Sequence, residues 1–188
     1  MAVRTGFEIR RADPGDADVL TAIAHAAKRH WGYPEAWIRR WRHDLTLTRR
    51  FIATHWVQCA TSRGRNIGFY ALSREGTTFD LEHMWVEPGH MGGGVGAGMF
   101  RHAIERVREG RGRRLRIVSD PNAEGFYRRM GARRIGEVAS RPAGRVLPVL
   151  VVDVPATAAG VTPPGRAGTR DAARATPRRR ASTPRSSG

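Results

Sequence analysis

A glycine-rich loop constrains the fold of this 188-residue chain more than any other feature of its sequence. Within seven residues it holds five glycines, at positions 92, 93, 94, 96 and 98. The apolar segment 78–86 precedes it, and residues 99–107 follow with apolar side chains at helical spacing. Backbone N–H groups can converge in such a loop, and the positive end of a helix dipole favours anions. The pattern predicts a strand–loop–helix unit that binds phosphate.

Three kinds of phosphate-binding loop compete for this segment. A Walker P-loop is excluded because it needs Gly-Lys followed by Ser or Thr, and the segment contains neither. A dinucleotide fingerprint is matched formally by Gly92-x-Gly94-x-x-Ala97, with Asp120 as the acid for a ribose. However, five residues separate Val86 from Gly92, whereas that fingerprint begins where its strand ends. The dinucleotide interpretation therefore stays a minor alternative.

The third interpretation rests on two motifs. The strand ending Val86-Glu87-Pro88, followed by Gly94-Val95-Gly96, resembles motif A of the GNAT (Gcn5-related) N-acetyltransferase superfamily. Met91 departs from that motif, because the family usually has Arg or Gln there. Downstream, the segment 120–132, with Phe126-Tyr127 before Gly131-Ala132, resembles motif B of the same family. The two matches stand in the expected order, and the resemblance extends over about residues 7–154.

Periodicity predicts an element order of one strand, two or three helices, three strands, a helix, a strand, a helix and two strands. Neither a sandwich nor a regular βαβ array has that order. The resemblance implies an α/β (α+β) GNAT fold. Its central mixed, mostly antiparallel sheet would have six to seven strands, splayed at the cofactor site and flanked by about four to five helices. The predicted strands are 7–11, 56–61, 67–73, 78–86, 115–118, 133–138 and 146–154.

The resemblance further implies acetyl-CoA as the co-substrate, with no metal, and direct attack of an amine on the thioester. Backbone groups of the strand before the loop would hold the pantetheine arm, and loop amides would hold the pyrophosphate. The cofactor residues expected on this basis are Met84, Trp85, Val86, Met91, Gly92, Gly93, Gly94, Val95, Gly96, Ala97, Asn122, Phe126, Tyr127 and Arg129.

The catalytic residues expected from the resemblance perform two proton transfers. Tyr127 would protonate the departing thiolate, and Glu82 or His83 would accept the proton of the amine. Successive strand residues face opposite sides, so only one of Glu82 and His83 reaches the cleft unless the strand is bulged. The acceptor, a small-molecule or peptide amine, is expected near the first helices, against Trp31, Tyr33 and Glu82.

Composition leaves other functions open. The net charge is +16, of which residues 156–188 contribute +6 and the rest +10. This charge suits an anionic ligand, so a nucleic-acid-binding module is the rival hypothesis, with contacts made through the tail. A GNAT-fold protein that binds acyl-CoA without catalysis is the third.

The same composition bounds the organisation of the chain. With one cysteine, Cys59, an internal disulfide cannot form. We expect a folded domain over residues 1–155, a disordered Arg/Pro/Ala/Gly-rich tail over 156–188, a cytoplasmic location without membrane contact, and a monomer or homodimer.

Overall fold

The computed structural model of the chain describes residues 6–142 and 144–155. Seven strands form one mixed sheet in the order β1-β2-β3-β4-β5-β7-β6, in which β4 and β5 are parallel and all other neighbours are antiparallel. The strands are β1 Glu8–Arg11, β2 Trp56–Ser62, β3 Arg65–Glu75, β4 Thr78–Val86, β5 Arg114–Val118, β6 Arg133–Ser140 and β7 Arg145–Asp153.

Helices cover both faces of the sheet. Four lie between β1 and β2, one follows β4 and one follows β5. They are α1 Ala17–His30, α2 Glu35–Arg40, α3 Arg42–Leu45, α4 Arg49–Thr54, α5 Val95–Glu109 and α6 Glu124–Arg129. The apolar stripe of α1 meets Val57, Phe69 and Ala71 on one face of the sheet, and α5 covers Tyr70, Leu72 and Phe79 on the other. Two separate cores therefore hold the sheet between its helical layers.

The architecture confirms the predicted GNAT fold, with seven strands inside the expected range. The sixth helix exceeds that range because the short α3, which buries Leu45, stands apart from α2. The helix expected from residue 99 begins earlier, at Val95. Gly98 lies inside α5, and a side chain is not tolerated at this position because a Cβ would come within 2.4 Å of the Phe7 ring. Glycine thus permits close packing as well as loop geometry.

The tail predicted to be disordered, residues 156–188, lies outside the described residues, so that expectation stays a prediction. Among the described helices, none combines the length and apolar character that a bilayer crossing requires.

Candidate active site

The parallel strands β4 and β5 separate after three paired positions. Thr78–Asp80 pairs with Arg114–Arg116, and an ion pair between Arg116 and Asp80 lies at the last of these positions. Beyond it, Ile117 and Val118 pair only with β7, and β4 from Leu81 to Val86 pairs only with β3. An edge without a partner presents N–H and C=O groups to any extended chain that lies alongside. The sheet therefore has an internal gap at the carboxyl ends of β4 and β5.

A bulge in β4 changes the direction of its polar residues. His83 pairs with Ala71 and Leu81 with Leu72, which leaves Glu82 as an extra residue. Because a bulge interrupts side-chain alternation, Glu82 and His83 lie on the same face of the sheet. Glu82 accepts a hydrogen bond from the Ser73 hydroxyl, and His83 packs with its ring centroid 5.4 Å from that of Phe51 in α4. Both side chains thus face the layer formed by α1–α4.

The glycine loop joins β4 to α5. Gly92 and Gly94 have φ values of +78° and +83°, in the left-handed region that favours glycine. Within the described part of the chain, the amides of Gly92, Gly93 and Gly94 donate no backbone hydrogen bond. The next three amides, at positions 95–97, lie in the first turn of α5 and have no partner four residues earlier. Six consecutive N–H groups are available to an anion at the positive end of a 15-residue helix.

Helix α6 lies against this loop. A Cβ on Gly96 would stand 3.6 Å from the ring of Phe126. Tyr127 is 6% exposed, with its ring centroid 5.6 Å from that of Phe100 in α5. Its hydroxyl makes no side-chain hydrogen bond to any described residue. Burial raises the pKa of Tyr127 above its ordinary value, and the charge of Asp120 adds to the effect. The phenol therefore keeps its proton at neutral pH.

The two candidate bases have different environments. Burial lowers the pKa of His83 to about 4, so the imidazole is neutral at neutral pH. Its Nδ1 accepts a hydrogen bond from the indole N–H of Trp85 at 3.2 Å, which places the ring proton on Nε2. Glu82 is exposed, and the Ser73 hydroxyl is its hydrogen-bond partner. Of the two side chains, only the Glu82 carboxylate has lone pairs left to accept a further hydrogen bond or a proton.

A buried charged network lies beside the gap, and sequence reasoning did not find it. Asp120, just after β5, pairs with Lys28 from the end of α1 and, at 3.0 Å, with Arg145 from the start of β7. The Tyr33 hydroxyl donates to Asp120 Oδ1 at 2.9 Å. Lys28 Nζ lies 5.8 Å from the ring centroid of Trp85 on β4. One signal was present in the sequence, since Lys28 is the only lysine among 33 basic residues.

The other predicted site residues lie in different environments. Tyr33 joins the charged network, whereas Trp31 is 39% exposed and its ring contacts only His30 among the described aromatic rings. Asn122 is exposed and its Nδ2 donates to the Tyr33 hydroxyl at 3.1 Å, so its side chain lies at the edge of the charged network. Arg129 is exposed on α6, and Met91 is half-buried in the loop.

Comparisons with known proteins agree with this geometry. Residues 52–131 match a family model described as an acetyltransferase (GNAT) domain. No curated protein matches the chain in sequence. The PaiA N-acetyltransferase of Thermoplasma acidophilum, solved in complex with coenzyme A, has a TM-score of 0.67 at 16% identity, and the alignment covers 78% of this chain and 98% of that one.

Two further solved structures show the same fold. A Gcn5-related N-acetyltransferase from Rhodopseudomonas palustris has a TM-score of 0.68 at 18% identity, covering 81% of this chain and 99% of that one. A GNAT family acetyltransferase from Brucella melitensis, in complex with acetyl-CoA, has a TM-score of 0.51 at 23% identity, covering 77% and 96%. Residues 52–131 are thus similar in sequence to a GNAT acetyltransferase domain, and the chain shares the fold of these solved GNAT structures.

Proposed function

We propose that this protein is an acetyl-CoA-dependent N-acetyltransferase that acetylates a primary amine by direct attack on the thioester. One observation carries the proposal: from Leu81 to Val86 the edge of β4 that faces β5 has no strand partner, and it lies beside a loop that offers six free amides. A gap of this kind suits a slender arm, and the amides suit a diphosphate. Structural neighbours bound to coenzyme A and acetyl-CoA support the same ligand.

The residues present fit the parts of acetyl-CoA. The amides from Gly92 to Ala97 would bind the pyrophosphate, and the backbone of Met84–Val86 would bind the pantetheine arm. Met91 carries no charge, so this binding relies on main-chain donors and the dipole of α5. Phe126 would border the arm from α6, and the exposed Arg129 is available to a phosphate.

Tyr127 is the proposed general acid. Its hydroxyl has no side-chain partner among the described residues, and its pKa is raised by burial, so the proton is present at neutral pH. A thiolate leaving group is much more readily expelled when a positioned acid donates to it, and such catalysis contributes about 10²–10⁴-fold. A backbone N–H near Val86 would polarise the thioester oxygen.

Glu82 is the proposed general base, which accepts the proton of the amine. The bulge turns its carboxylate to the face that carries α1–α4, where the acceptor is expected. His83 lies on the same face, but Nδ1 is occupied by Trp85 and the neutral ring carries its proton on Nε2. His83 could accept a proton only by losing that hydrogen bond, so we assign it to positioning Trp85.

Two assays on the full chain test the proposal. CoA should raise the melting temperature, since a ligand that binds only the folded state stabilises it. Acetyl-CoA with an amine panel should release free thiol. Tyr127→Phe should keep the stabilisation by CoA and lose turnover, and Glu82→Gln should raise the pH at which turnover begins. A protein whose melting temperature does not respond to CoA would refute acetyl-CoA binding, and stabilisation without thiol release from any amine would identify a non-catalytic binder.

A further inference from the structure

The buried network beside the gap contains more positive than negative charge. Lys28 and Arg145 share one carboxylate, that of Asp120. Their side chains are 8%, 10% and 10% exposed, respectively. A buried charge is costly unless it is paired. Among the described residues, these three mostly buried groups carry a net charge of +1, so one of the two cations is not balanced by a carboxylate of its own.

The network also has more hydrogen-bond donors than its carboxylate can accept. Oδ1 of Asp120 accepts hydrogen bonds from the Tyr33 hydroxyl and from the backbone N–H of Asn122, and Oδ2 accepts from Lys28 and Arg145. The carboxylate is thus saturated. Lys28 has three N–H donors and Arg145 has five. Besides Asp120, Arg145 reaches the Ser140 hydroxyl at 3.1 Å and the Tyr33 hydroxyl at 3.4 Å.

Aromatic rings offset part of the excess charge. Lys28 Nζ lies 4.5 Å from the ring centroid of Trp41 and 4.7 Å from that of Tyr33, and the Arg145 guanidinium lies 4.9 Å from the Trp41 ring. Ring faces attract cations but accept no strong hydrogen bond. Burial still lowers the pKa of Lys28, although its bond to Asp120 acts in the opposite direction. Among the described residues, two cations therefore share a single carboxylate.

The network also lies next to the proposed reaction centre. Lys28 lies beside the ring of Trp85 on β4, and Trp85 is one of the positions, Met84–Val86, predicted to hold the pantetheine arm. Burial raises the pKa of the Tyr127 phenol, and the charge of Asp120 adds to this effect. An acceptor whose amine reaches the thioester would therefore place its neighbouring atoms near Lys28 and Arg145.

We propose that the acceptor is an amine that also carries an anionic group, a carboxylate or a phosphate, bound by Lys28 and Arg145. This inference rests on the proposed acetyltransferase activity and names its substrate class. The anion supplies the missing negative charge and the missing hydrogen-bond acceptors. An acceptor with a second cationic group would add to the surplus and is disfavoured.

The test is acetylation of matched pairs by the full chain. Each pair contains a free amino acid and its carboxamide, and a further set contains aminoalkyl phosphates with the corresponding amino alcohols. We expect kcat/KM at least tenfold higher for the anionic members. Preference among carboxylates and phosphates then distinguishes the two sources of charge. Equal efficiency for neutral members refutes the inference and leaves the proposed function intact. No transfer to any member, in a protein that acetylates another amine of the panel, refutes the inference alone, and no transfer to any amine, in a protein that CoA stabilises, refutes both.

Variants separate anion binding from folding. Lys28→Met should raise KM for the anionic acceptor at least tenfold, with KM for acetyl-CoA and for the neutral member unchanged. Arg29→Met is the matched control, because Arg29 adjoins Lys28 but is exposed and paired with Glu35. Lys28→Arg keeps the charge and should keep the preference, which covers the case in which Lys28→Met does not fold. An equal effect of Lys28→Met on both members of a pair would contradict the assignment.

Discussion

Asp120→Asn tests whether the buried network depends on one carboxylate. The change keeps the size of the side chain and removes the one carboxylate that, among the described residues, pairs with Lys28 and Arg145. The net charge of the network rises from +1 to +2, and both cations stay nearly as buried as before. The amide also offers one fewer acceptor oxygen to the donors of Tyr33, Asn122 and the two cations.

The expected loss of stability is large. Removing one partner from a buried ion pair costs about 3–5 kcal/mol, because an uncompensated charge is left behind. For a domain of this size each kcal/mol corresponds to roughly 2–4 °C, so the melting temperature should fall by about 6–20 °C. The bonds from Lys28 and Tyr33 outweigh burial and keep the pKa of Asp120 below its ordinary value. The stabilisation is therefore present at neutral pH and is lost as the pH falls through the pKa of the folded state.

Asp153→Asn is the matched control. Asp153 also bridges two cations, Arg114 and Arg133, but its side chain is 54% exposed. Water screens such pairs, so this variant should unfold close to the wild-type temperature. Chemical denaturation and thermal melting, followed by circular dichroism, give both comparisons. If Asp120→Asn and Asp153→Asn lower the melting temperature equally, the network is not the buried charge cluster described above.

The remaining predictions concern the site and the sheet. Tyr127→Phe should lower kcat by roughly 100-fold or more while CoA stabilises the variant as before, and an unchanged kcat would exclude the phenol as the acid. Because burial lowers the pKa of His83 from 6.5 to about 4, the free energy of unfolding should decrease as the pH is lowered from 6.5 to 4, by roughly 3 kcal/mol in total. His83→Gln should remove that dependence, and a parallel pH profile would contradict the burial argument. Gly68→Ala should cost about 1–3 kcal/mol, because its Cβ would stand 2.9 Å from the Trp85 carbonyl oxygen. Gly136→Ala meets nothing within 4 Å and should be neutral by comparison in denaturant titrations.

The order of the elements could be predicted because each has a local signal. The alternation in 56–61 and 67–73 and the turn at Gly64 are local properties of the sequence, and the structure has a hairpin there. The start of α5 was placed four residues late because Gly96 and Gly98 disfavour helix in isolation. Contact with Phe7, more than 90 residues earlier in the chain, explains why glycine occurs inside this helix.

The site was only partly accessible from the sequence. The glycine loop and Tyr127 belong to continuous motifs, so their positions could be inferred from the chain itself. The bulge at Glu82 could not, because register depends on how β4 meets β3. The charged network could not be assembled either, since Lys28, Asp120 and Arg145 come from three distant segments. Such residues become neighbours only through the fold.

Binding of CoA by the glycine loop and the free edge of β4 can be tested by recording the amide NMR spectrum of the ¹⁵N-labelled full chain during titration with CoA. Glycine amides are well resolved in such spectra, and the loop contains five glycines. We predict that the largest shifts occur at residues 92–97 and along Met84–Val86, where free amides and the unpaired edge of β4 lie. Saturable shifts confined to other surfaces, or no shifts at millimolar CoA, would contradict it.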